Sequence, residues 1–142
     1  MGEKIAPSFF FIDPFGFSGV PFETVKSILS LPRTEIFFTF MTQSISRFLA
    51  LPNVEEALDE LYPTSEWRQI LNRSEERDQA LKDLYIKCLH KIAGVKHTWA
   101  FSVSTDKKYH TLYYLIHATN NIDGHKIMKE INVFLNNFFI AK

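Results

Sequence analysis

The chain has 142 residues, a length that suits one domain, and its 16 basic residues balance its 16 acidic ones. This balance gives no overall positive charge for nucleic-acid binding, although it is compatible with a local cluster of basic residues. Hydrophobic residues make up 46% of the chain and aromatic residues 15%, which supplies a packed core and argues against disorder. Cys88 is the only cysteine, so an intramolecular disulfide and a cysteine-rich zinc site are both excluded.

The amino-terminal residues do not resemble a signal peptide, because residues 1–8 are mostly polar and the run FFFI is too short for the apolar region. No apolar run approaches the roughly 18 residues that a membrane-spanning helix needs. We therefore expect a cytoplasmic protein in a reducing environment, with no membrane partner.

The first predicted element is a strand over residues 9–12, FFFI, followed by Asp13, Pro14, Phe15 and Gly16. A short apolar run that ends at proline and glycine predicts a strand buried on both faces, as in parallel sheets. Ligands of open α/β sheets bind outside the carboxyl ends of the strands, which makes Asp13 to Gly16 a candidate site. The alternative is an ordinary strand that ends at an Asp-Pro breaker.

A strand–helix–strand unit follows from this beginning. Pro21 suits the first turn of a helix whose apolar face ends before Pro32, and residues 36–40, IFFTF, predict a second buried strand parallel to the first. A short helix should follow, capped by Thr42 or Ser44. Arg47 would lie near the carboxyl end of the second strand, where it is a candidate substrate-binding residue. The alternative is a solvated surface arginine.

The rest of the chain predicts more helices and a hairpin. A helical insertion covers residues 54–71, and a helix that starts at Ser74 carries an apolar stripe containing Cys88, which we interpret as core filler. Gly94 ends that helix. Alternating residues from Trp99 to His117 predict a β-hairpin with a more buried second strand. A last amphipathic helix should follow, with apolar positions Ile127, Met128, Ile131, Phe134, Leu135 and Phe138.

These elements predict one α/β unit over residues 1–142, with a parallel strand pair and an antiparallel terminal hairpin in one four-stranded sheet, packed with at least four helices. No HxxxH or HxH metal motif, P-loop, GxSxG or GxGxxG occurs in the sequence. We therefore expect no metal site and no cofactor loop in this chain. His117 lies within an apolar strand, where a satisfied buried histidine is expected.

Four strings carry a resemblance to a known family: FFIDPFGFSGVPFETVKSILSLPRTEIFFTFM, SRFL, EWRQIL and YYLIHATNNIDGHKIMKE. From about Phe10 to Glu130 the chain resembles the three-Cys-motif partner family, which has a class I methyltransferase-like, Rossmann-like fold. The resemblance covers a carboxyl-terminal half, since the family's glycine-bearing loop lies upstream of the matching part. It implies pairing with a three-Cys-motif protein and no established reaction.

A looser comparison concerns amino-group methyltransferases, which place (D/N)PP(Y/F) after the corresponding strand. Asp13 and Pro14 match the first two positions, whereas Phe15 and Gly16 depart from the pattern. This comparison implies a catalytic role for Asp13 as a hydrogen-bond acceptor and substrate contacts from Pro14, Phe15 and Gly16. The departure puts methylation of a base amine in doubt.

Two functions follow as expectations. The first is an interaction protein of the three-Cys-motif partner type, inactive alone because the cofactor loop is absent. The alternative is the catalytic half of a methyltransferase-like enzyme that acts on nucleic acid or another amino-group substrate, with S-adenosylmethionine bound only when the missing half is supplied. The strand from Phe9 to Asp13 lacks edge protection, so we expect a second copy or a partner to pair with it. Alternatively, residues 1–8 or a helix fold back over it.

Overall fold

The computed structural model describes residues 6–14, 20–42, 45, 47, 51–73, 75–104 and 111–140, with only the backbone at 112 and 135–140. Within these residues the chain forms four strands and five helices. The strands are β1 (Ser8–Ile12), β2 (Thr34–Phe40), β3 (His97–Ser104) and β4 (Thr111–Thr119). The helices are α1 (Phe22–Leu29), α2 (Val54–Leu61), α3 (Trp67–Leu71), α4 (Arg77–Lys91) and α5 (Ile122–Ile140).

The four strands form one mixed sheet in the order β1-β2-β4-β3. β1 and β2 are parallel, with Phe10 opposite Ile36, whereas β4 is antiparallel to both β2 and β3. The predicted α/β class, parallel pair and terminal hairpin are therefore confirmed. The hairpin turn around residues 106–108 lies outside the described residues.

One face of the sheet, the inner face, carries the core. Alternate residues of β2 point to this face, so Ile36, Phe38 and Phe40 are buried together with Ile116 of β4. Helices α1 and α4 contribute the opposing aromatic rings. The Tyr85 ring stacks on Phe38 at a centroid distance of 5.3 Å and meets the edge of Phe22 at 5.8 Å. Such aromatic pairs stabilise a core beyond their buried area.

Helix α1 follows the prediction closely. Pro21 precedes its first turn and Glu23 lies within that turn, where a negative charge complements the helix dipole. Its buried residues, Phe22, Val25 and Leu29, recur at helical spacing and close the βαβ unit onto the inner face.

The predicted insertion over residues 54–71 divides into α2 and α3. The break falls at Pro63, which cannot continue the backbone hydrogen bonding of a helix. Asp59 joins the two helices, because its carboxylate accepts hydrogen bonds from the Trp67 indole at 3.1 Å and from Arg68 at 3.0 Å. The bond from Arg68 is the main reason that the pKa of Asp59 is lowered.

Helix α4 carries the predicted apolar stripe, and Cys88 is buried within it as core filler. The stripe ends one turn earlier than predicted. Ile92 is 40% exposed, because the helix ends at Lys91 and the chain turns away from the buried face. Gly94 then adopts a φ of +70°, a conformation that glycine takes without steric cost.

One expectation about burial is wrong. β1 is buried on neither face, since Phe9 and Phe11 are 56% and 59% exposed and Phe10 is also exposed. The reason is its position at the outside of the sheet, where it pairs with β2 alone among the described strands. In α5, the apolar positions Ile127 and Ile131 are exposed as well. The short helix predicted after β2 falls largely outside the described residues.

A search of the described helices finds none with the length and apolar content required to cross a membrane.

Candidate partner-binding edge

The carboxyl end of β1 holds the residues that the sequence singles out. Asp13 is exposed there and Pro14 is half-buried, whereas Phe15 and Gly16 lie outside the described residues. Pro14 borders a void of about 10 Å³ between β2 and α2, which has room for no more than a water molecule. Arg47 is exposed. Of the four predicted site residues after β1, the structure describes Asp13 and Pro14. The void beside Pro14 is far too small for a substrate.

A cavity of about 730 Å³ opens at the opposite end of the parallel pair, where sequence reasoning predicted no site. Two of its polar side chains serve the backbone: Asn120 accepts a hydrogen bond from the Lys96 amide, and Asn121 accepts one from the Asp123 amide at the start of α5. These contacts fix the entry of the chain into α5, as capping side chains do. The lining consists of Pro7, Leu29, Ser30, Leu31, Pro32, Arg33, Thr34, Glu35, Thr119, Asn120, Asn121 and Ile122.

The free edge of β1 is the most distinctive feature of the sheet. The Ser8 amide donates to the Arg33 carbonyl at 2.9 Å, so Ser8 directs its backbone groups toward β2. Backbone groups alternate in direction along a strand, which turns the N–H and C=O of Phe9 and Phe11 away from β2. No described strand pairs with that side. The edge therefore offers hydrogen-bond donors and acceptors for an added strand.

The outer face of the sheet continues this edge with aromatic rings. We call Phe9, Phe11 and Phe37 the outer aromatic face. The Phe37 ring lies 6.2 Å from the Phe9 ring and 6.0 Å from the Phe11 ring, and the edge of Phe101 meets it at 5.8 Å. The rings thus support one another laterally, while the rings of β1 remain open to solvent on top.

The described contacts of helix α5 lie on the other half of the outer face. His125 stacks on His97 of β3 at 5.1 Å, and the Lys129 ammonium lies 4.9 Å from the centre of the Trp99 ring. Burial, with smaller contributions from Lys129 and from the neighbouring histidines, lowers the pKa of His125. These contacts place α5 above β3 and β4, to one side of the outer aromatic face.

A polar contact fixes the start of α5 against the middle of the sheet. His117, which is completely buried, donates from Nε2 to the Glu35 carboxylate at 2.8 Å. Gly124 of α5 lies directly on that carboxylate, so closely that a Cβ at this position would overlap Glu35. His117 Nδ1 finds no hydrogen-bond partner within the described part of the chain. The tautomer that carries a proton on Nε2 therefore suits this site.

One side of α5 carries exposed apolar residues. Gly124, Ile127 and Ile131 share that side, because residues three, four and seven apart align on a helix. Gly124 contacts Glu35 of β2 at the start of this side. The side chains of Ile127 and Ile131 are 56% and 43% exposed.

Sequence reasoning found the strand edge and missed the surface that flanks it. Glu35 and Phe37 escaped notice because β2 was interpreted as uniformly buried. The alternation in TEIFFTF, where Glu35 precedes Ile36, was the available signal that the strand has two different faces. No local signal could have paired Glu35 with His117, which lies 82 residues away. The described residues contain no group of three or more histidine, cysteine, aspartate or glutamate side chains that could hold a metal ion.

No protein-family model, curated protein or solved structure matches the chain.

Proposed function

We propose that this chain is an interaction module that pairs through the free edge of β1 with a second polypeptide of the three-Cys-motif type and has no activity of its own. The observation that carries the proposal is an edge strand with aromatic side chains that are exposed on both faces of the sheet. Soluble proteins normally protect such edges with lysine, proline or a bulge, and β1 contains none of these.

Exposed apolar surface and outward backbone groups both favour pairing at this edge. The exposed fractions of Phe9 and Phe11 correspond to roughly 100 Å² of apolar surface each, given the size of a phenylalanine side chain. Complete cover of such an area is worth up to about 2.5 kcal/mol for each ring, of which a strand in the plane of the sheet gains only the part at the side of the ring. An added strand also satisfies the outward backbone groups of both residues, as in β-augmentation.

The sheet topology supports a partner that supplies a strand beside β1. The resemblance to the three-Cys-motif partner family implies a sheet in which an antiparallel hairpin is appended to a parallel series of strands. The order β1-β2-β4-β3 agrees with the carboxyl-terminal part of such a sheet. In that arrangement β1 would be an internal strand, and its outer neighbour would come from another segment.

The test compares two substitutions at one residue. Phe9→Ala and Phe9→Pro both remove the aromatic ring, and only proline also removes the backbone N–H. Because this N–H points away from β2, the pairing of β1 with β2 survives in both variants. The measurement is affinity for a purified three-Cys-motif protein by titration calorimetry, with light scattering of the chain alone as a monitor of self-association. We expect Phe9→Pro to bind at least about tenfold more weakly than Phe9→Ala, since a lost hydrogen bond is worth about 1 kcal/mol and the ring of proline adds a clash.

Equal affinities for the two variants would show that no strand pairs with this edge and would overturn the proposal. A strictly monomeric chain without affinity for the three-Cys-motif protein would overturn it as well. A matched folding control is the far-ultraviolet circular dichroism of both variants, which should coincide with that of the wild type.

A further inference from the structure

The contact between the start of α5 and β3 is built from ring systems that carry or border charge. His125 of α5 is half-buried and stacks on His97 of β3 at a centroid distance of 5.1 Å. The same imidazole meets the Trp99 ring edge-on at 6.4 Å, and the Lys129 ammonium lies 4.9 Å from the centre of that ring. A charge that appears on His125 therefore acts at the point where α5 is attached to the sheet.

We propose that His125 makes the docking of α5 on the sheet sensitive to pH, so that protonation of its imidazole releases the start of α5 from β3 and β4. This inference goes beyond the proposed function and does not depend on it. The buried Nδ1 atom of His125 has no hydrogen-bond partner among the described residues. Protonation places a charged N–H at this atom, and a buried donor without an acceptor destabilises the contact. Release of α5 gives that N–H access to water.

The positive charges around His125 act in the same direction. Burial lowers the pKa of His125, and Lys129 of α5 together with His97 and His117 of the sheet lowers it further. His125 is also the fourth residue of α5, within the first turn, where the positive end of the helix dipole disfavours a cation. The docked helix therefore favours the neutral imidazole.

The acidic residues near the start of α5 do not offset these charges. The Glu35 carboxylate already accepts the hydrogen bond from His117. Asp123 is exposed and precedes His125 by two residues, which places it roughly 200° around the helix. Lys126, which follows His125 and is also exposed, adds a further positive charge. The described surroundings of His125 thus favour its neutral form.

The lowered pKa of His125 sets the sign of the pH dependence. The docked helix binds fewer protons at His125 than the released helix, so docking weakens as the pH falls below 6.5, the ordinary pKa of histidine. The weakening levels off when the pH has also passed the pKa of the docked state. Mildly acidic solution therefore uncovers the side of β3 and β4 on which Trp99 lies.

The experiment follows amide hydrogen exchange of the full chain by NMR at about pH 7.5 and about pH 5.5, corrected for the intrinsic pH dependence of exchange. Protection of the first two turns of α5, relative to that of α4, should fall at least about threefold at the lower pH. His125→Phe keeps a stacking ring without a titrating nitrogen and should abolish this fall.

Titration of the His125 ring protons by NMR supplies a second readout. The pKa of His125 should lie below 6.5 in the wild type and should rise in Lys129→Met. Lys126→Met is the matched control, because it removes the same charge from an exposed position of the same helix, and it should raise this pKa by less.

The inference is overturned if protection of α5 is the same at both pH values, if His125→Phe retains the fall, or if only His97→Phe abolishes it. Equal effects of Lys129→Met and Lys126→Met on the pKa of His125 would also contradict it. A wild-type pKa of His125 at or above 6.5 overturns it as well, and this measurement decides even if His125→Phe fails to fold.

Discussion

Gly124→Ala should destabilise this protein, although the same change stabilises most helices. Gly124 lies in the first turns of α5, and an added methyl group would overlap the carboxylate of Glu35. That carboxylate cannot move away freely, because it accepts the hydrogen bond from His117 at 2.8 Å. The substitution must therefore displace Glu35 from His117 or lift the start of α5 from the sheet.

The sign of the change in the free energy of unfolding follows from two opposing contributions. Replacement of a helical glycine by alanine favours folding by at most about 1 kcal/mol. Loss of a hydrogen bond to a charged group costs about 1.5–3 kcal/mol, and the imidazole left behind is fully buried. We expect a net loss of about 0.5–2 kcal/mol in the free energy of unfolding.

A double-mutant cycle with Glu35→Ala isolates the cause. Without the carboxylate the methyl group has room, so Gly124→Ala should stabilise the Glu35→Ala background by up to about 1 kcal/mol. Urea unfolding of the four proteins, followed by circular dichroism, measures both effects. The reasoning is refuted if Gly124→Ala changes the free energy of unfolding by the same amount in both backgrounds.

Three further outcomes are expected. In urea unfolding, Tyr62→Phe should lower the free energy of unfolding by about 1 kcal/mol, because the buried Tyr62 hydroxyl donates to the Leu81 carbonyl at 2.8 Å. Tyr85→Phe should be neutral or stabilising in the same assay, since no described residue forms a hydrogen bond with the buried Tyr85 hydroxyl. Burial raises the pKa of Cys88 to about 11, so iodoacetamide at pH 8 should alkylate Cys88 at least ~100-fold more slowly than a free thiol. A rate near that of free cysteine would contradict the buried position of Cys88. Calorimetric titration with S-adenosylmethionine should show no micromolar binding, because the sequence lacks a cofactor loop; clear binding would favour the methyltransferase alternative.

Local patterns were sufficient to predict the elements and much of their order. The helical spacing of Leu81, Tyr85 and Cys88 defined α4, and the apolar runs in β1 and β2 defined the parallel pair. These predictions succeed because hydrogen bonding within a helix and the alternation along a strand depend on neighbouring residues. Their errors have the same origin: the length of an apolar run does not reveal whether another element covers each face, which is why β1 was predicted to be buried.

The sequence by itself determined the type of each element and the lack of protection along β1. Only the tertiary structure decided that α5 packs on β3 and β4 and that Phe9 and Phe11 of β1 are exposed. It also decided that Glu35 meets His117, 82 residues away, and that Gly124 closes over them. The physical reason is register: pairing Phe37 with His117 across β2 and β4 fixes which side chains share the outer face, and register is a property of the assembled sheet.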